Sequence, residues 1–213
     1  MKRKNEYILE EGHPFIGISG AAAFLATVSG THLVLSGGLW LLTLFFLCFF
    51  RNPEREPAEE GREIILSPAD GRIVQIEEKE GPLTGKPMRR VSIRLTPCDI
   101  HVQRSPVEGE IVAQYYLHGT FLAVTSKKAS LLNEQNRLLF RTPENREVEV
   151  VQIAGFLTRR IKMFRELGKI ERGERYGMIL FGSQVDLYLP LEVELKVGIG
   201  QKVRGGETPI GSF

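Results

Sequence analysis

A glycine and a serine, Gly182 and Ser183, stand in the most strand-like stretch of the chain. Four large apolar residues precede the pair, and alternating apolar residues follow it at Val185, Leu187 and Leu189. This pattern predicts a strand that enters and leaves a tight point in a β-sheet. Because glycine lacks a Cβ atom, another group can approach its carbonyl closely. The neighbouring group here is the serine hydroxyl.

A serine hydroxyl held against the preceding carbonyl can attack it and move the acyl group from nitrogen to oxygen. Elimination from that ester would cut the chain between Gly182 and Ser183 and leave a pyruvoyl group at residue 183. A plain bend or bulge is the alternative, because Gly-Ser pairs are common turn chemistry. A hydrolase nucleophile is disfavoured, since Val185 stands where the Gly-x-Ser-x-Gly motif needs its second glycine. The wider sequence must decide.

Length and composition limit the possible functions. The 213 residues allow one domain of ordinary size plus an appendage. A net charge of +2 gives no support for nucleic-acid binding, so no nucleic-acid partner is expected. Cys48 and Cys98 lie far apart, and the chain has four histidines. This usage indicates neither a disulfide framework nor a metal site.

The stretch from Pro14 to Phe50 contains no Asp, Glu, Lys or Arg. As one helix it would be about 55 Å long, well beyond a hydrocarbon core of roughly 30 Å. Polar and glycine residues interrupt it at 29–32 and 36–38, leaving apolar pieces from Phe15 to Val28 and from Leu39 to Phe50. These lengths favour a helical hairpin that dips into the membrane over a single transmembrane helix. The length of the apolar region disfavours a cleaved signal peptide.

Basic residues flank this apolar region on both sides. Lys2, Arg3 and Lys4 precede it, and Arg51 and Arg55 follow it. The positive-inside rule then places both ends on the cytoplasmic face of the cell membrane. Residues 1–50 are therefore predicted to be a membrane-associated helical hairpin.

Residues 51–213 form the second predicted domain and consist mostly of strands. Strands are expected at 64–66, 72–76, 91–95, 148–153 and 191–197. The segment from Ser67 to Val74 is echoed by the segment from Ser105 to Val112, each a proline-led turn followed by a strand. Helices are expected from Ser126 to Asn136 and from Gly155 to Leu167. The predicted fold is mainly β (α+β), a compact, barrel-like β-sandwich with few helices.

The chain contains five separated motifs, which are Phe50-Arg51-Asn52-Pro53, Ser67-Pro68-Ala69-Asp70-Gly71, His101-Val102-Gln103-Arg104-Ser105-Pro106, Gln152-Ile153-Ala154-Gly155 and the region from Arg172 to Asp186. In kind and in order, these motifs resemble those of the short-form phosphatidylserine decarboxylases, a family of pyruvoyl-dependent membrane enzymes. The resemblance covers nearly the whole chain, including its apolar N-terminus.

The resemblance implies a self-processing decarboxylase. Cleavage would yield a β chain of residues 1–182 and an α chain of residues 183–213, which stay together as a heterodimer. The cofactor would be a covalent pyruvoyl group derived from Ser183. The substrate would be the anionic membrane phospholipid phosphatidylserine, held as a Schiff base and converted to phosphatidylethanolamine and carbon dioxide.

The resemblance also assigns site residues. Asp70, which by its own surroundings reads as a turn carboxylate, matches an acidic residue implicated in self-cleavage and would orient a base for Ser183. His101 matches an active-site histidine and suits proton transfer near neutral pH.

Two further residues are assigned to substrate binding. Arg104 replaces a second histidine found in longer-form members and cannot act as a base at neutral pH. We expect it to bind the substrate phosphate or carboxylate, unless it is merely a surface strand charge. His118 is either a spare substrate-binding base or, more simply, a turn histidine.

Two other functions remain open at this point. A close relative could act on archaetidylserine, whose headgroup is the same. The glycine turns from Val197 to Glu207 also resemble biotinyl or lipoyl carrier domains, although Lys196 lacks the Met-Lys-Met tip of such carriers. The oligomeric state stays open, a homo-oligomer included.

Overall fold

The computed structural model describes residues 7–123, 129–156, 160–180 and 183–213. The chain divides into two compact units, Met1–Glu54 and Arg55–Phe213. The first is helical and the second is built mainly from strands.

The first unit contains two apolar helices after a short 3-10 turn at Glu10–Gly12. Helix α1 is His13–Val28 and helix α2 is Leu33–Phe49. The expected interruption at residues 29–32 separates them. The expected interruption at 36–38 is wrong, because α2 continues through it. Glycine within a helix costs only about 1 kcal/mol, and the Ser36 hydroxyl bonds back to the Leu33 carbonyl at 3.1 Å.

Helices α1 and α2 pack against each other through both polar and aromatic side chains. The Thr43 hydroxyl donates to the Ser19 hydroxyl at 3.1 Å. The rings of Phe15 and Phe46 lie 5.4 Å apart. Within the described residues, neither helix combines the length and hydrophobicity that crossing a bilayer would require.

The second unit contains the strands. In chain order they are β1 Ile64–Leu66, β2 Gly71–Glu80, β3 Pro87–Arg94, β4 Val102–Arg104, β5 Gly109–Leu117, β6 Gln135–Arg141, β7 Glu147–Ala154, β8 Ile161–Met163, β9 Gly168–Ile170, β10 Arg175–Ile179, β11 Ser183–Pro190, β12 Glu194–Leu195, β13 Lys202–Val203 and β14 Pro209–Ser212. A single helical turn, α3, spans Ala129–Leu132.

These strands form three sheets in the described part of the chain. The large sheet has the order β13-β2-β3-β11-β7-β6-β5-β9, and the small ones have the orders β1-β14-β12 and β4-β10-β8. One apolar core joins side chains from all three sheets. The mainly β prediction is confirmed, but the barrel-like closure is wrong. Edge strands β13 and β9 each pair on one side only, so the described sheet stays open.

The second unit consists of two topologically equivalent halves, each of which contributes four strands to the large sheet and forms one small sheet. Strands β4 to β10 form one continuous half, whereas β1 to β3 and β11 to β14 form the other. The echoed segments occupy equivalent places: Leu66 N donates to the Pro106 carbonyl, and Arg104 N donates to the Pro68 carbonyl, both at 2.9 Å. Strands β2 and β5 even carry bulges at equivalent positions, after Ile73 and Ile111.

This duplication explains the unusual route of the chain. In the continuous half, β6 and β7 are joined by the short turn at residues 142–146. In the other half, β3 and β11 pair in the same way, but the entire continuous half is inserted between them. The chain therefore leaves β3 at residue 95 and returns to β11 at residue 183.

Of the helix predicted at 126–136, the described residues keep only the turn α3, and the described residues of 155–167 form no helix. Residues 126–128 and 157–159 lie outside the described residues. Beyond them, β6 begins at Gln135, and Ile161–Met163 form β8, which pairs with β10. Pairing with a neighbouring strand outweighs the helical spacing of the apolar residues here.

Gly109 is the first residue of β5. Its substitution tests the proline-led turn before this strand, which has a counterpart before β2. The φ of Gly109 is +153°, and an added Cβ would stand 2.1 Å from the Arg141 carbonyl oxygen. We expect Gly109→Ala to lower the free energy of unfolding by about 1–3 kcal/mol, measured by urea denaturation. Gly198→Ala is the control, because nothing lies within 4 Å of its added Cβ. Equal effects at both sites would contradict this account.

Candidate active site

The site predicted from sequence lies where the chain crosses from a small sheet to the large one. Strand β10 ends at Ile179 in the small sheet, and β11 begins at Ser183 between β3 and β7 in the large sheet. Gly182, the other half of the predicted cleavage site, lies outside the described residues. The outgoing segment from Leu95 to His101 runs beside this return. Leu95 N donates to the Ser183 carbonyl at 3.0 Å, and Ile179 N donates to the His101 carbonyl at 3.2 Å.

Ser183 is completely buried at the start of the central strand. It stands opposite Ala154 of β7 and shares its sheet face with the core residues Val185 and Leu187. Its hydroxyl has no hydrogen-bond partner among the residues that the structure describes. A buried hydroxyl without a partner is costly in free energy, so such groups require an explanation. A reactive role provides one.

His101 is buried next to the same crossover, with 1% of its surface exposed. Its Nδ1 lies 2.8 Å from the Asp99 carbonyl oxygen. Because a carbonyl can only accept, this contact places a proton on Nδ1. Nε2 is then the ring atom able to accept a proton in the neutral imidazole, which is the state that a general base needs.

A chain of hydrogen-bonded amide side chains supports the His101 backbone. Gln103 Nε2 donates to the His101 carbonyl at 2.9 Å, and Gln152 Nε2 donates to Gln103 Oε1 at 2.8 Å. Asn136 Nδ2 then donates to Gln152 Oε1 at 2.7 Å, and Gln114 Nε2 donates to Asn136 Oδ1 at 3.1 Å. This amide chain connects β5, β6 and β7 to β4, just inside the crossover.

Asp70 lies on the turn before β2 and is held in a buried ion pair. Arg55 Nη1 and Nη2 contact its two carboxylate oxygens at 2.5 and 2.8 Å, and Gly205 N donates to it at 2.9 Å. Burial lowers the pKa of the Arg55 guanidinium, but Asp70 and Glu207 outweigh it, so the net pKa is raised. Asp70 is at the same end of the sheet as Ser183. Its role in orienting a base stays a prediction.

The two tentative substrate-binding residues have different surroundings. Arg104 is 6% exposed, and its Nη1 donates to the Gly173 carbonyl at 3.0 Å, so it is no surface charge. His118 follows β5, with 89% of its side chain exposed and Nδ1 3.8 Å from Glu134 Oε2. Because β6 and β7 lie between β5 and β11, His118 is separated from Ser183 by two strands. Substrate binding by either residue stays a prediction.

Burial and hydrogen bonding also shift the pKa of two other side chains of the large sheet. Asp186, on β11, is 1% exposed, and burial raises its pKa although Arg90 Nη1 lies 3.4 Å away. Burial raises the pKa of Tyr116 to about 12, aided by the hydrogen bond that its hydroxyl donates to Glu134.

Three of these residues have no role that the sequence predicts: Arg55, Gln103 and Gln152. In the sequence, Arg55 is a positive charge that flanks the apolar region, and Gln103 and Gln152 are members of family-like motifs. A signal was present, because Gln103 and Gln152 are polar residues within short β-rich segments. Their partners come from distant strands, so the amide chain could not be foreseen.

Comparison with known proteins identifies the family. A model of the phosphatidylserine decarboxylase family matches residues 42–211. Phosphatidylserine decarboxylase proenzymes from Geotalea uraniireducens and Syntrophus aciditrophicus are each 38% identical over 99% of this chain, covering 99% and 100% of their own lengths. That of Aromatoleum aromaticum is 42% identical over 94% of this chain and 93% of its own. The chain belongs to the phosphatidylserine decarboxylase family, rather than to the biotinyl or lipoyl carriers.

Removal of one link tests the amide chain. Gln152→Leu would leave Gln103 Oε1 without its donor, at a cost of about 1–3 kcal/mol for an unpaired buried group. We expect a lower melting temperature and slower self-cleavage. Electrophoresis of freshly made protein at successive times measures the rate of cleavage. Gln75→Leu, at an exposed position on β2, is the control. Normal cleavage in a destabilised Gln152→Leu protein would show that the amides support only the fold.

Proposed function

We propose that this chain is a phosphatidylserine decarboxylase that forms its own catalytic group by cleavage between Gly182 and Ser183. The observation that carries this proposal is the buried Ser183 hydroxyl, which has no hydrogen-bond partner among the described residues. It stands at the first residue of the central strand, in a chain whose family is known. The relatives that support the proposal are named as proenzymes.

Self-processing needs a base and a reactive serine. Ser183 Oγ attacks the Gly182 carbonyl carbon while a base takes its proton, and that proton passes to the nitrogen as the C–N bond breaks and the ester forms. A base then removes the Cα proton of residue 183 as the Cβ–Oγ bond breaks, which leaves Gly182 as a carboxylate and residue 183 as dehydroalanine. Water replaces the nitrogen of that residue, ammonia leaves, and a pyruvoyl group remains. His101 is the proposed base, through Nε2, with Asp70 in a supporting role.

The surroundings of residue 183 fit a pyruvoyl group. Its carbonyl is held by Leu95 N at 3.0 Å, and Ala154 of β7 lies opposite. When formed, the group supplies a carbonyl that withdraws electrons from the amino-acid headgroup as carbon dioxide is lost. The protein contributes burial, which excludes water, and a proton donor for the product carbon, for which His101 is our candidate. The product is phosphatidylethanolamine.

The strand pairings support a stable heterodimer of the two cleaved chains. In the α chain, β11 lies between β3 and β7, β13 pairs with β2, and β14 pairs with β1. Cleavage at Ser183 would cut only the crossover and leave these ladders intact. Contacts of Arg55 with Glu207 and of Asp70 with Gly205 also connect the two chains.

Arg104 is proposed to bind the anionic part of the headgroup. A guanidinium is always charged and can donate to phosphate or carboxylate oxygens. Its buried position in β4, three residues after His101, supports this role. His118, exposed on the loop after β5, is the weaker candidate for substrate binding.

The replacement Ser183→Ala tests the function. We expect a single full-length chain without decarboxylase activity, whereas the wild type should give two fragments of masses expected for residues 1–182 and a pyruvoyl-capped 183–213. Intact-mass measurement and labelling with a carbonyl-reactive hydrazide check both points. Ser92→Ala, at a buried serine of β3, should still cleave. An active Ser183→Ala protein would refute the assignment.

We further propose that residues 1–50 associate with the cytoplasmic face of the cell membrane. The absence of Asp, Glu, Lys and Arg from 14 to 50 and the basic flanks support this. The protein should sediment with membranes and resist extraction by alkaline carbonate. A protein lacking residues 1–50 should be released, and its retention under those conditions would contradict a membrane role for this segment.

A further inference from the structure

Four exposed apolar side chains lie at the end of the large sheet where β11 begins. They are Leu117 at the end of β5, Leu131 and Leu132 of α3, and Phe156 just after β7, which are 40%, 69%, 50% and 70% exposed. We call these residues the apolar rim. Single exposed apolar residues are ordinary, but a cluster of them indicates an interaction surface.

The buried side chain of Asn133 holds the segments of the rim together. Its Nδ2 donates to the carbonyls of Leu122 and Ala154, both at 2.7 Å, and its Oδ1 accepts from Leu122 N at 2.8 Å. Thr120 N donates to the Leu132 carbonyl at 2.7 Å. The loop after β5, the turn after α3 and the end of β7 are therefore tied to one another.

The rim adjoins the crossover. Ala154, which accepts from Asn133, stands directly opposite Ser183 in the sheet. Phe156 follows it by two residues. Arg160 is exposed and lies beside the crossover, because Leu180 N donates to its carbonyl at 3.2 Å. Lys162 of β8 is exposed as well. Basic side chains thus border an apolar surface next to the reactive serine.

We propose that the apolar rim docks onto the surface of a lipid bilayer, with Leu131, Leu132 and Phe156 inserted at the boundary between headgroups and acyl chains. The inference rests on the proposed function, because a phospholipid whose headgroup must reach residue 183 keeps its acyl chains in the bilayer. Apolar side chains can enter this boundary, while basic residues attract anionic headgroups. The arrangement of Arg160 and Lys162 beside the rim matches that charge.

The rim thereby has a role separate from that of the apolar N-terminal residues. Docking brings the end of the second unit that carries Ser183 to the membrane surface. Only the lipid headgroup then has to move from the bilayer towards residue 183. Arg160, whose backbone belongs to the crossover, would contact anionic headgroups near the site. Decarboxylation of lipid in a bilayer should then depend on the rim, whereas self-cleavage should not.

Activity on two forms of the substrate tests the proposal. The full-length double variant Leu131→Ser/Phe156→Ser should cleave itself normally and turn over a water-soluble, short-chain phosphatidylserine at the wild-type rate. With long-chain phosphatidylserine in phosphatidylcholine vesicles, its kcat/KM should fall about tenfold or more, because each buried large apolar side chain contributes about one such factor. Equal activity of variant and wild type on vesicles would overturn the proposal, as would equal losses on both substrates.

The matched control is Leu191→Ser. Leu191 is 39% exposed but follows the other end of β11, away from Ser183. It should leave activity on both substrates unchanged. A loss on vesicles equal to that of the rim variant would show that replacing any exposed leucine with serine lowers activity, and would refute docking by the rim. Failure of the proposed function itself looks different, because the wild type would then neither cleave nor decarboxylate either substrate.

Fluorescence quenching reports insertion directly. In a Trp40→Phe background, the Phe156→Trp variant should be quenched by vesicles whose acyl chains carry bromine, whereas the Leu191→Trp variant should not.

Arg160→Gln should weaken turnover about fivefold on vesicles rich in anionic lipid, with the difference disappearing at high salt. If the rim instead joins two copies of the chain, the Ser variants will change the elution volume in gel filtration and the Phe156→Trp variant will show no quenching, which would refute the proposal.

Discussion

The placement of β11 between two neighbouring strands is the constraint on which the rest of the structure depends. A strand with β3 on one side and β7 on the other has its backbone hydrogen bonds satisfied along both edges. Ser183 is the first residue of this strand, so pairing with the neighbouring strands sets the position of its backbone. A fixed position of the attacking residue suits an intramolecular reaction, because less freedom of motion has to be lost when the reacting groups meet.

The duplicated architecture explains how the chain can be cut without falling apart. One half of the large sheet is inserted into a hairpin of the other half, between β3 and β11. A cut between β10 and β11, where the chain returns from the inserted half, breaks one connection but removes no strand pairing. In the equivalent place of the other half, a short turn joins β6 and β7. The position proposed for cleavage therefore follows from the insertion, which places the connection from β3 to β4 beside the connection from β10 to β11.

Polar side chains inside the second unit stabilise the connections from β3 to β4 and from β10 to β11. The amides of Gln103, Gln152 and Asn136 are fully buried and bond to one another, ending at the His101 carbonyl. A satisfied network of this kind favours one arrangement of the strands, since a shift would leave buried donors and acceptors unpaired. The Arg55–Asp70 pair does the same where the turn before β2 meets Gly205. Both networks position the chain around Ser183.

The sequence by itself determined the family, the candidate serine, most strands and the echoed turns, because these depend on local pattern and on motifs read in order. It erred on the helices expected at 126–136 and 155–167 and on barrel closure. Helical spacing in a short apolar run does not tell which strand will pair with it. Only the tertiary structure decided that half of the sheet is inserted in the other, that Arg55 holds Asp70, and that four amides lead to His101. Each of these depends on contacts between residues far apart in the chain, which local preferences do not encode.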